Sequence, residues 1–161
     1  MIANTKMITL MQRGSRKKER KSSAELLLTL AWPEFVDQNG CILLSDQLVK
    51  SHAKLNDFDD ETSYEAFVNH VHLNGTEFGE ELTSIEIIRM ASIIAEIWKR
   101  KLSHDFSKDE FLIILAFDEE ESEATLRFHK IRNAQMPWIN LNEIEKYVEP
   151  IMFIKVGKDI E

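Results

Sequence analysis

The chain has 161 residues, 43% of them hydrophobic and 30% charged, with a net charge of −8 and one cysteine, Cys41. This composition suits a single globular domain with a sizeable core, and it excludes wholesale disorder and an intramolecular disulfide framework. No apolar run approaches the roughly 20 residues that a membrane helix needs. The N-terminus shows no long apolar stretch with a small-residue cleavage site, so a cytoplasmic protein without membrane attachment is expected.

The charge is unevenly placed. Residues 1–22 hold Lys6, Arg13, Arg16, Lys17, Lys18, Arg20 and Lys21 against Glu19, a net +6, so residues 23–161 carry −14. Basic segments of this kind bind nucleic acid or anionic membranes. With no aromatic residue interleaved for base stacking, a solvated lead-in is the favoured reading of 1–22. Residues 23–161 then form one acidic domain. Such a body repels phosphate, so nucleic acid is an unfavourable ligand for it, and it steers basic proteins toward itself.

Three segments carry the capping-box pattern of a hydroxyl residue followed three positions later by Glu. They are Ser22-Ser23-Ala24-Glu25, Thr62-Ser63-Tyr64-Glu65 and Thr83-Ser84-Ile85-Glu86. The first predicts a helix to about Trp32, halted by Pro33. Between it and the second helix, Asp37-Gln38-Asn39-Gly40 is turn chemistry, compatible with a small hairpin or with an irregular connection. The second helix is expected from Ser63 to Leu73, stopped at Asn74-Gly75. The third runs from Ile85 to Leu102, with Ile87, Ala91, Ile94, Trp98 and Leu102 on one stripe and Ile88, Ile93, Ala95 and Ile97 widening it. So wide a stripe predicts a central helix packed on more than one side.

Beyond that helix the hydrophobic period changes from 3.6 to 2. Phe111–Phe117 is apolar on both faces, as in a buried strand. Glu123–His129 alternates, with Ala124, Leu126 and Phe128 inward and Arg127 and His129 toward solvent. Asp118–Glu123 between them suits a hairpin loop. A short helix near Leu141–Tyr147 and a strand at Ile151–Val156 complete the chain. Helices first and strands last predict an α+β fold: N-terminal helices, including the long one, on a small C-terminal antiparallel sheet.

Chemistry-bearing patterns are sparse. Neither Asp118-Glu119-Glu120-Glu121-Ser122-Glu123 nor Asp57-Phe58-Asp59-Asp60-Glu61 has the glycine and spaced oxygen ligands of a calcium loop. His70 and His72 would share a zinc from a strand, but on the expected helix they point about 200° apart. Cys41 has no histidine near it in sequence, and neither a nucleophile elbow nor a phosphate-binding glycine loop is present. Paired carboxylates at a solvated hairpin tip lack the recessed cleft that acid/base work requires. No enzyme, metal or cofactor is expected. Trp98 reads as core, and Trp138 as a packing residue before an interface anchor.

The −14 of the body exceeds the magnitude of about 2–8 that solubility asks of a small domain, which points to a basic protein partner. With its strand–hairpin–helix–strand section over Phe111–Val156, the chain resembles bacterial immunity proteins that neutralise toxins of contact-dependent growth inhibition and related polymorphic toxin systems. The resemblance implies a non-enzymatic inhibitor that covers a basic cleft, typically that of a nuclease toxin domain. The charge pattern places the contact at Asp118, Glu119, Glu120, Glu121 and Glu123, with Asp57, Asp59 and Asp60 as further candidates. The alternative is a small acidic secretion chaperone that binds an effector segment. An enzyme using Cys41 or a histidine and a nucleic-acid regulator using Arg13–Lys21 are the remaining readings.

Overall fold

The structure is a computed structural model and describes residues 23–78, 81–136 and 138–157; the basic lead-in, with Ser22 of the first capping box, lies outside them. In chain order the elements are α1 (Ser23–Ala31), β1 (Phe35–Gln38), β2 (Cys41–Leu44), α2 (Ser45–Ser51) and a 3-10 turn (Leu55–Asp57). Then come α3 (Glu61–Val68), β3 (His70–Leu73), α4 (Gly75–Phe78), α5 (Ser84–Asp105), β4 (Phe111–Asp118), β5 (Glu123–Lys130), a 3-10 segment (Leu141–Lys146) and β6 (Ile151–Val156). The fold is α+β, as the order of periodicities predicts. No described helix is long and apolar enough to cross a membrane.

A four-stranded antiparallel sheet, β3-β5-β4-β6, forms the centre, and β1-β2 is a separate hairpin. The β4–β5 register starts at Asp118↔Glu123 and ends at Phe111↔Lys130. β4, paired on both sides, is buried nearly throughout, which is why its sequence shows no alternation. Phe111, Ile113, Leu115 and Phe117 meet α5 in the main core, with Trp98 and Phe128 fully buried there. On the opposite face Leu112 and Ile114 are also buried, and Leu112 lines a cavity together with Met136 and Leu141 of the connection that joins β5 to β6 on the far side of β4.

α5 begins with the capping box expected at Thr83 and Glu86. Its buried residues are Ile87, Ala91, Ile94, Ala95, Trp98 and Leu102, whereas Ile93 is 62% exposed, so the apolar stripe is narrower than the sequence suggests. One face lies on the sheet and α1, and the other meets solvent. The Trp98 indole donates to the Leu30 carbonyl at 2.8 Å, satisfying one of the orphan acceptors at the end of α1.

The segment 35–44 is a hairpin. Asn39 and Gly40 both have positive φ, 56° and 83°, the type I′ geometry that Asn-Gly favours. β2 is buried on both sides because it separates two cores: Ile42 and Leu44 enter the main one, and Cys41 and Leu43 pack with Tyr64 and Val68 in a smaller one.

The second helix departs from expectation. It ends at Val68, and His70–Leu73 is a strand paired with β5 from His70↔Arg127 to Leu73↔Ala124. The alternation of His70-Val71-His72-Leu73 is period 2, and pairing with an otherwise unfilled edge of β5 outweighs continuation of the helix. The cap also differs. Asp60, not Thr62, accepts the Ser63 amide at 2.7 Å. Thr62 is instead buried within the first turn.

Candidate functional site

The β4–β5 loop, residues 119–122, is a tight turn between two paired strands. The Asp118 carboxylate accepts the amides of Glu120 and Glu121 at 2.9 and 3.0 Å, and Ser122 adopts a left-handed φ of 50°. The acid that starts the run therefore shapes the backbone, as Asp does in many turns. Glu119, Glu120 and Glu121 project into solvent, and none has an ion-pair partner among the described residues. Glu123 is half-buried in β5, where its carboxylate meets His72 and accepts the Asn74 side-chain amide at 2.9 Å. Of the five carboxylates, three face solvent and two hold the turn and its flank.

The other acidic run has local work. Asp57 accepts the Lys54 amide at 3.0 Å, Asp60 caps α3, and Asp59 is exposed. Glu61 pairs with the Gln135 side chain beyond the end of β5, and Gln135 also accepts the Thr62 hydroxyl at 2.6 Å. The hairpin tip lies at the start of that same strand. The two clusters are thus separated by the eight residues of β5, about 25 Å at roughly 3.4 Å per residue. The structure does not bring them into one patch.

His70 and His72 share the outer face of β3, with ring centroids 5.2 Å apart, where the sequence analysis placed them on opposite sides of a helix. His70 Nδ1 meets the Phe67 carbonyl and His72 Nδ1 meets Glu123. Among the described residues no group of three or more His, Cys, Asp or Glu is placed to hold a metal ion. His129, expected at the solvent face, is 2% exposed, because the 131–150 connection covers its side of the sheet. Trp138 is 42% exposed, with the Arg127 guanidinium 5.9 Å from its ring centre.

The most organised polar cluster has no contiguous signature in the sequence. Glu65 is fully buried and forms a two-pronged pair with Arg132, at 2.8 and 2.9 Å. It also accepts the amides of Ile42 at 2.8 Å and Lys130 at 2.7 Å. One turn later the buried Asn69 side chain accepts the Leu44 amide and donates to the Ile42 carbonyl, at 2.8 and 2.7 Å. Glu65 on α3 and Asn69 at its C-terminal cap therefore do for the outer edge of β2 what a neighbouring strand would do. Cys41 lies beside them. Burial and the Glu65 carboxylate push its thiol up to about 11, so it stays protonated at neutral pH and is a poor nucleophile.

A family model matches residues 2–160. The chain belongs to the uncharacterized protein PM0498 family. The match includes the basic lead-in, which makes that segment part of the family's pattern. No curated protein matches the chain. No solved structure matches it either.

Proposed function

We propose that this protein is a non-enzymatic inhibitor that captures a basic protein domain, in the manner of an immunity protein neutralising its toxin. The carrying observation is the hairpin tip: Glu119, Glu120 and Glu121 are consecutive, exposed and held on a turn between the two central strands of the sheet. A rigid platform lowers the ordering cost of binding, and unpaired carboxylates on it accelerate encounter with a basic cleft. The −14 carried by residues 23–161 extends that attraction beyond the contact itself.

Pull-down with the purified chain, followed by co-expression with the basic toxin domain it captures, tests the proposal; capture of no basic domain counts against it. The wild-type chain restores growth, and the Glu119→Lys, Glu120→Lys, Glu121→Lys variant does not. Equal rescue by both, with unchanged salt dependence of binding, would assign the contact elsewhere.

One observation favours the chaperone reading. A groove of about 690 Å³ between α1 and α2 is lined mainly by apolar side chains, including Leu26, Leu30, Leu44 and Trp32, the last of them 65% exposed. An effector-binding chaperone is commonly an obligate dimer, so light scattering of the purified chain separates the two readings: a monomer supports the inhibitor.

A further inference from the structure

A second site lies on the outer face of the sheet, where the end of β5 meets the 131–150 connection. A cavity of about 200 Å³ there is lined by Thr62, His129, Lys130, Arg132, Gln135 and Lys155, together with apolar side chains. In a body carrying −14, no carboxylate is among the residues lining it, and three cations are. Lys130 pairs with Asp109 and Arg132 with Glu65, while Lys155, exposed on β6, forms no ion pair among the described residues. Thr62 contributes no free donor, because its amide and hydroxyl both go to Gln135 and Asp60 caps the helix start, so Lys155 supplies the uncompensated charge.

His129 defines what the cavity asks of a ligand. Its Nδ1 lies 3.0 Å from the Lys130 carbonyl, which can only accept, so this nitrogen carries the proton. The neutral ring then presents Nε2 as a bare acceptor, and Nε2 is the one buried side-chain polar atom without a hydrogen-bond partner among the described residues. A buried orphan acceptor is destabilising, and a ligand that supplies a donor removes that penalty. Nε2 is closed to solvent, so a ligand reaches it only when a lining side chain shifts, and Met136, 82% exposed and unbranched, is the least constrained of them.

We propose that this cavity binds a small anion bearing a hydroxyl group, its charge held near Lys155, the lining cation that has no ion pair among the described residues, and its O–H donated to His129 Nε2. A hydroxycarboxylate and a singly protonated phosphate share this chemistry. The volume is below the roughly 300–1,000 Å³ of drug-sized pockets, which confines the ligand to a few heavy atoms.

The full chain, titrated with lactate, propionate and inorganic phosphate while the His129 ring nitrogens are followed by ¹⁵N NMR, tests this. Lactate or phosphate shifts Nε2 saturably, and propionate, an anion of similar size without the hydroxyl, binds roughly tenfold more weakly or worse. Whichever of the first two binds more tightly identifies the anion class. His129→Phe removes the preference for lactate over propionate, and Lys155→Met, at an exposed position, weakens every anion that binds. The absence of any saturable shift, equal binding of lactate and propionate, or a Lys155→Met titration indistinguishable from wild type overturns the proposal. These readouts involve no partner protein, so their failure leaves the acidic-tip proposal standing, and the reverse also holds.

Discussion

Glu65 is costly to bury and costly to remove. Taking a carboxylate out of water requires compensation by several strong partners, and here two guanidinium contacts and two strand amides supply it. Glu65→Ala leaves the Arg132 guanidinium and both amides unpaired, and we expect a loss of about 3–5 kcal/mol in urea unfolding. Asn69→Ala exposes the Leu44 amide and the Ile42 carbonyl to the same penalty, about 1–3 kcal/mol for each group left unpaired. Because both side chains serve the same strand, their effects should be less than additive in a double-mutant cycle. Full additivity would show that the two act independently.

His129 adds a pH dependence. Burial holds its ring below the ordinary histidine range and outweighs the Lys130 carbonyl and the nearby Glu65, which favour the charged form, while Arg132 opposes it. The unfolded ring takes up a proton below about pH 6.5, and the folded one does so only at lower pH. Stability is therefore fully present above about pH 6.5 and declines as the pH falls toward the folded value, by at most about 1.4 kcal/mol per pH unit for this one group. His70, pushed in the same direction by burial, adds to the slope. Chemical denaturation at pH 7.5 and 5.5 should show this decline, and His129→Phe should flatten it. An unchanged slope would mean that His129 does not contribute.

At the level of elements, local roles and contact roles of acidic residues come apart. Asp60 accepts the Ser63 amide as the N-cap of α3, so Asp60→Ala should cost about 1 kcal/mol whether or not a partner is present. Asp59→Ala, two positions from the helix start and exposed, should change stability by less than about 0.5 kcal/mol. Thermal unfolding of the two variants checks the pair, and equal losses would refute the capping role.

The same contrast explains what the sequence reveals. Elements whose pattern repeats over several turns or residues are legible: the α5 stripe, the apolar run of β4, the alternation of β5 and the Asn39-Gly40 turn each carry their own signal. β3 was not legible, because four residues, His70–Leu73, follow a helix without a break and only pairing with β5 makes them a strand. The acidic tip was legible because it is contiguous in sequence. The Glu65–Arg132 pair joins residues 67 positions apart, and the His129 cavity gathers residues from Thr62 to Lys155. Glu65 also matched a capping box that α3 does not use. The alternation of His70-Val71-His72-Leu73 between Asn69 and Asn74 was the one local signal that argued for a strand.

For the whole molecule, geometry separates long-range attraction from contact. A typical partner footprint covers about 800 Å² on each side, a patch about 30 Å across. Centred on Glu119–Glu121, it reaches the Asp57–Asp60 run, about 25 Å away along β5, only at or beyond its rim. Rim charges alter the rate of encounter, and charges desolvated at the centre also alter the rate of escape. Glu119→Lys, Glu120→Lys and Glu121→Lys together should therefore slow association with the proposed basic partner and speed its dissociation. Asp57→Asn with Asp59→Asn should slow association slightly and leave dissociation unchanged. Raising ionic strength from 0.01 to 0.15 M shortens the screening length from about 30 to about 8 Å, which should remove most of the difference in association rate but little of that in dissociation. Surface-plasmon kinetics at both salt concentrations decides the matter. If the two variants dissociate alike, the tip is one part of a diffuse acidic field rather than the centre of a contact.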